Sequence, residues 1–228
     1  MAALIAFYSR AGENYFGGAY RRISVGNTEK VAEMLADLTG GELYKIEQAE
    51  PYSDDYKTCV AQAREDWQKN ARPAVLDLPD DLDAYDEIYL GYPNYCSTMP
   101  MAVYTFLEHY DFTGKAIHPF CTHEGSGLSD TENDIRKAAH GAAVTKGPST
   151  AATWTRRRAR LPSGLRSSQN EKAPDRLLLL IVRQHRAHRK SVAERCRRRS
   201  CEARHRRAVY RQLQRCGRSG PARGERGL

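Results

Sequence analysis

Three short stretches of this 228-residue chain carry side chains that together could hold a phosphate and a flat ring. The first, residues 9–28, supplies hydroxyls, an amide and a guanidinium through Ser9-Arg10-Ala11 at its start and, after an insertion, Gly26-Asn27-Thr28 at its end. Asn27 or Thr28 is expected to cap a following helix. A helix N-terminus attracts anions, because its first N–H groups lack partners and its dipole ends positive there. In the stretch 91–100, two prolines fix the course of the chain. Tyr92 or Tyr95 can lie flat on a planar ring, while Asn94 and backbone amides meet the polar edge of that ring. In Thr122-His123-Glu124-Gly125-Ser126-Gly127, two glycines let the backbone approach a ligand closely. Taken singly, each stretch has a plainer explanation: a capped helix, a turn with packing tyrosines, a surface loop. Taken together, in this order, they are far more specific.

The elements that must position these stretches are legible as alternating strands and helices. Residues 3–8 form a short apolar run that reads as a buried strand. Residues 12–25, with three glycines, read as a loop. Residues 27–38 place Val31, Ala32, Met34, Leu35 and Leu38 at helical spacing, and Gly40-Gly41 ends them. Residues 42–46 read as a strand, and 56–69 as a helix with Val60, Ala63 and Trp67 on one side. Strands at 86–91 and 115–121 follow, with helices at 101–109 and 128–139 and the start of a fifth strand at 142–146. Such alternation predicts a parallel sheet covered on both faces, with the ligand outside the C-terminal ends of the strands. Each of the three stretches follows such a strand end.

Those stretches resemble the flavodoxins, most closely a subgroup of bacterial flavodoxin-like proteins. The matching residues are Phe7-Tyr8-Ser9-Arg10, Gly26-Asn27-Thr28-Glu29-Lys30-Val31-Ala32, Gly91-Tyr92-Pro93-Asn94-Tyr95 and the run from Pro119 to Gly127. The resemblance covers about residues 2–147. It implies an α/β fold, a flavodoxin-like doubly wound five-stranded parallel sheet in order 2-1-3-4-5. It also implies FMN as a non-covalent cofactor. Ser9, Arg10, Ala11, Asn27 and Thr28 would hold the phosphate. Pro93, Asn94, Tyr95 and Cys96 would line one side of the isoalloxazine. Thr122, His123, Glu124, Gly125, Ser126 and Gly127 would line the other. One departure is visible: residues 11–25 intervene where plain flavodoxins have one short turn.

The function implied is electron transfer to redox partner proteins, with no catalytic residue and no metal. Residues 1–147 hold 23 acidic against 13 basic residues. Like-charge repulsion there disfavours an anionic reduced flavin and pushes its potential down. In a second reading, His123 and Glu124 move protons in an NAD(P)H-dependent FMN reductase of quinones. The expected location is the cytoplasm, for three reasons. No signal peptide is evident. The apolar run 177–182 is too short to span a bilayer. The cysteines at 59, 96 and 121 read as reduced thiols.

Residues 148–228 differ in kind. They hold 23 basic and 5 acidic residues, and 21 of the basic ones are arginine. Periodicity is lost after Gly147, which leaves the fifth strand and the last helix of the fold incomplete. A one-base shift of frame across 150–157 permits His-Gly-Gly-Asp-Val-Asp-Ala-Ala, a turn and helix start in the style of the family. The segment therefore reads as a frameshift-derived, poorly ordered basic tail. A third reading makes it a nucleic-acid-binding tail. Only Trp154 and Tyr210 are aromatic there, so no stacking platform is visible and RNA binding would be nonspecific. Its histidines and cysteines lack zinc-site spacing.

Overall fold

A computed structural model describes residues 2–147 and 149–151. In chain order its elements begin with β1 (Ala2–Phe7), β2 (Gly12–Phe16), β3 (Ala19–Ile23), α1 (Asn27–Thr39) and β4 (Glu42–Lys45). Next come α2 (Tyr56–Gln68), β5 (Tyr85–Pro93), α3 (Met101–His109), β6 (Ala116–His123), α4 (Thr131–Ala138), β7 (Ala143–Val144) and β8 (Ser149–Ala151). The main sheet is parallel throughout and runs β4-β1-β5-β6-β7. With the β2–β3 hairpin set aside, this is the expected order 2-1-3-4-5.

Strands that are apolar on both sides suit a sheet covered on both faces. Ala3 through Phe7 are all buried. One face packs Leu4, Ala6, Ile88 and Leu90 under α3, with Val103 and Phe106. The other packs Ile5, Phe7, Tyr89 and Phe120 under α1, with Val31, Ala32 and Leu35. Gly91 sits where any β-carbon would fall 2.2 Å from the Phe120 ring. Between β5 and β6, a buried pair joins the Glu87 carboxylate to Nε2 of His118 at 2.5 Å. Nδ1 of the same ring lies 3.0 Å from the Thr145 hydroxyl, which ties the two-residue β7 to its neighbour.

Four expectations need correction. Residues 12–25 form an antiparallel hairpin, β2–β3, and not an irregular loop. Its turn is Gly17-Gly18, at φ 64° and 73°, the pair of positive angles that a two-residue hairpin turn requires. α4 starts at Thr131, three residues late, because Leu128 turns back to accept the Thr131 hydroxyl at 2.7 Å. Leu38 is 53 % exposed, since the buried stripe of α1 runs through Thr28, Val31, Ala32 and Leu35 and misses it. Trp67 is likewise 49 % exposed, on a helix that buries only Cys59 and Ala63.

The outer edge of β6 is paired twice. β7 matches Ala116 and Ile117, and β8 matches Cys121 through His123. Between them Gly147 passes so close to Pro119 that a β-carbon would lie 2.4 Å from the Pro119 carbonyl oxygen. Apart from the backbone of 149–151, the basic tail, its expected frameshift and the expected loss of the last helix lie outside the described residues.

Candidate functional site

The expected cap residues do not cap α1. The N-cap is Gly26, which has no side chain to offer. The missing acceptor comes from Ser9, at the end of β1, whose Oγ accepts the Glu29 N–H at 3.1 Å. A β-carbon on Gly26 would lie 2.1 Å from that oxygen and 2.8 Å from the Arg10 carbonyl. Only glycine lets the helix start this close to the strand end. Asn27 and Thr28 then line a cavity of about 270 Å3, at a helix start whose first N–H groups lack intrahelical acceptors. The Thr28 side chain is buried, and its hydroxyl lies 2.8 Å from that of Thr122 across the site.

Arg10 lines the cavity; the two terminal nitrogens of its guanidinium are committed elsewhere, while its buried Nε has no hydrogen-bond partner among the described residues. Nη1 donates to the carbonyls of Ser53 (2.8 Å) and Asp54 (3.3 Å), and Nη2 donates to that of Glu13. Its work is to tie the hairpin to the turn before α2, with its charge left beside the site.

Pro93 closes β5, and the loop behind it is pinned to the third stretch. The Asn94 N–H donates to the Thr122 carbonyl at 2.9 Å. Its side-chain amide donates to the Gly127 carbonyl and the Ser129 hydroxyl, both at 3.0 Å. Tyr95 and Thr98 exchange both backbone hydrogen bonds, at 2.8 and 2.9 Å. This closes a turn with Cys96 and Ser97 at φ 52° and 65°. Two successive non-glycine residues in the left-handed region cost about 1–3 kcal/mol each, and such cost is held where function fixes the backbone. Of the two candidate tyrosines, Tyr95 lines the cavity. Tyr92 is core, with its hydroxyl 2.7 Å from that of Thr131. Burial keeps the Tyr95 phenol protonated far above its usual range.

Thr122 and His123 belong to β6 itself, and with Glu124 they form the opposite wall. Nδ1 of His123 accepts the Gly125 N–H at 2.9 Å. The proton of the neutral ring therefore sits on Nε2. Burial lowers the pKa of this imidazole below its ordinary value, and the Glu124 charge opposes that only in part. The Glu124 carboxylate accepts the Gly17 N–H at 2.8 Å, which holds the hairpin tip against the third stretch. Ala11, Gly125, Ser126 and Gly127 fall outside the cavity wall.

Seven wall residues were not anticipated. Asn14 and Tyr15 come from the hairpin, and Tyr56, Cys59, Val60, Ala63 and Arg64 come from α2. The helical spacing of 56, 60 and 63–64 marks one face, but nothing in the spacing says that this face borders a ligand. The Cys59 thiol, pushed up by burial, stays protonated. Asp55 caps α2 by accepting the Thr58 N–H at 2.8 Å. The hydroxyl of Thr58 lowers the Asp55 carboxyl pKa.

Similarity to known proteins agrees with this architecture. Among solved structures, a protein of Bacteroides eggerthii described as a flavoprotein is 24 % identical, over 68 % of this chain and 94 % of its own, with a TM-score of 0.54. One from Bacteroides uniformis, described likewise, is 23 % identical over 70 % and 98 %, at 0.53. A flavoprotein of Lactobacillus acidophilus in complex with FMN is 20 % identical over 69 % and 97 %, at 0.48. No curated protein matches the chain in sequence. The family model for flavodoxin matches residues 18–159, more than half of the chain, and the chain belongs to the flavodoxin family.

Proposed function

We propose that this chain is an electron carrier working through FMN, the cofactor of its family. The observation that carries the reading is the convergence of three strand-end segments on one cavity, at the C-terminal ends of β1, β5 and β6. The residues fit the cofactor. Gly26 leaves a cradle that any side chain would fill, between the Ser9 hydroxyl and the amides of α1. Ser9, Asn27 and Thr28 would hold the phosphate there. Pro93, Asn94, Tyr95 and Cys96 would lie along one side of the ring, and Thr122, His123 and Glu124 along the other. When bound, the flavin supplies the electron transfer. The chain binds it, orients it and sets the surrounding charge.

His123 favours a carrier over a reductase. Its ring is neutral, and its Nδ1 is occupied by a backbone N–H. It offers a fixed Nε2–H donor and no proton for delivery. The acidic balance of residues 1–147 supports a lowered potential. The test is FMN titration of the full chain by fluorescence quenching, followed by potentiometry. The expected results are a Kd of about 1 μM or tighter and a midpoint below that of free FMN, with no NAD(P)H oxidation beyond background. Absence of FMN binding overturns the reading. Rapid NAD(P)H turnover replaces it with the reductase.

A further inference from the structure

The hairpin brings aromatic surface to the cavity that the FMN reading does not use. Tyr15 and Tyr20 face each other across the β2–β3 register. With Tyr56, the first residue of α2, they form a triangle whose ring centroids lie 5.4, 6.1 and 5.5 Å apart. No pair is stacked face to face: the interplanar angles are 63°, 39° and 59°. Tyr15 and Tyr56 line the cavity, and Tyr20, which is not part of its wall, packs against both rings. Tyr15 is 41 % and Tyr20 is 52 % exposed.

Exposed rings in contact mark binding surfaces more often than scattered apolar residues do. The hairpin does not need them as anchors. Polar bonds already hold it: Arg10 to three carbonyls, Arg22 to Asp54 at 2.8 Å, the Glu13 carboxylate to the Tyr56 N–H at 3.1 Å, and Gly17 to Glu124. The hydroxyls of Tyr15 and Tyr20 have no hydrogen-bond partner among the described residues. Arg64, on the same wall of α2, is exposed and has no ion-pair or hydrogen-bond partner among the described residues. Three inclined rings, with an uncommitted guanidinium about two turns further along α2 on the same cavity wall, are complementary to an aromatic ligand that carries negative charge at one end.

We propose that Tyr15, Tyr20 and Arg64 form a second ligand subsite at the mouth of the cavity, for a planar aromatic molecule bearing an anionic group. The proposal rests on the reading that the deeper cavity holds FMN. In the flavodoxin setting, such a ligand would lie next to the cofactor without sharing its contacts.

The test uses the full chain loaded with FMN, with naphthalene-2-sulfonate as the probe, followed by calorimetry at about 0.2 M salt so that exposed charges are screened. The controls are 2-naphthol, which lacks the charge, and methanesulfonate, which lacks the ring. The sulfonated ring is expected to bind without displacing FMN, and methanesulfonate is expected not to bind. Tyr20→Ala, which leaves the cavity wall intact, should weaken the probe about tenfold and leave FMN affinity unchanged. Tyr20→Phe keeps the ring and should retain binding, which separates a lost contact from a lost fold. Arg64→Gln should weaken the sulfonate and leave 2-naphthol unaffected. Probe binding that ignores Tyr20→Ala, or that expels FMN competitively, overturns the subsite. If the chain takes up no FMN yet binds the probe in a Tyr20-dependent way, the cofactor reading falls and the subsite stands.

Discussion

At the residue scale, Gly26 makes the sharpest demand on the sequence. A methyl there would occupy the space of the Ser9 oxygen, 2.1 Å away, and crowd the Arg10 carbonyl as well. The helix start or the strand end must then give. Overpacking of this kind typically costs about 1–3 kcal/mol. Gly26→Ala is therefore expected to weaken FMN by at least about tenfold and to lower the melting temperature. Fluorescence titration and a thermal melt of the same sample check both, and unchanged affinity would mean that the cradle is not the phosphate site. His123 makes a second prediction, in pH. Its folded-state pKa lies below the ordinary 6.5, with burial as the main cause. As pH falls below about 6.5 the unfolded chain takes up a proton that the folded ring resists, so stability drops toward the lowered value. Above that range the group contributes no slope. Urea unfolding between pH 5 and 7.5 should show a fall on the acid side that is smaller in His123→Gln. An identical slope in both proteins would show that another group titrates.

At the element scale, the hairpin separates this site from the single tight turn of a plain flavodoxin. Much of the rest was legible beforehand. The period-2 and period-3.6 patterns placed β1, β5, β6, α1 and α3 within a few residues, because those segments bury whole faces. The hairpin was missed because β3, Ala19–Ile23, buries none of its residues, so no alternation marks it. Gly17-Gly18 between two aromatic-containing runs was the readable signal. The role of Arg10 was not readable, since its acceptors at Ser53 and Asp54 lie more than 40 residues away and exist only after folding. For the same reason the α2 face could be recognised as a face but not as a cavity wall. Arg10→Met should therefore act on an element and not only on a contact. Amides of the hairpin should exchange with solvent several-fold faster while those of β1 and β5 stay protected. Hydrogen exchange read by mass spectrometry on hairpin peptides decides this. Unchanged hairpin protection would return Arg10 to the role of a direct phosphate ligand.

At the scale of the whole molecule, charge is divided along the chain. Residues 1–147 carry an excess of acid, and residues 148–228 hold 23 basic against 5 acidic residues. No helix among the described residues is long and apolar enough to cross a membrane. On the carrier reading proposed above, the acidic part would favour basic redox partners, whose association would slow as salt rises. The arginine-rich part should act independently of the flavin chemistry. Arginine binds phosphate through its charge whatever the base sequence, and such binding weakens steeply with salt as counterions cease to be released. The full chain is thus expected to bind poly(A) and poly(U) with similar affinity in low salt and to release both at moderate salt. For single strands the slope of log K on log salt should be about −0.7 per phosphate neutralised, so several contacts give a fall of orders of magnitude. The visible spectrum of bound FMN should stay constant throughout, because the cavity is built from residues before 125. Filter binding across a salt series, with the flavin spectrum recorded on the same samples, makes the comparison. Preference for one RNA sequence that survives salt would overturn this expectation, and nucleic-acid recognition would then be a function of the tail in its own right.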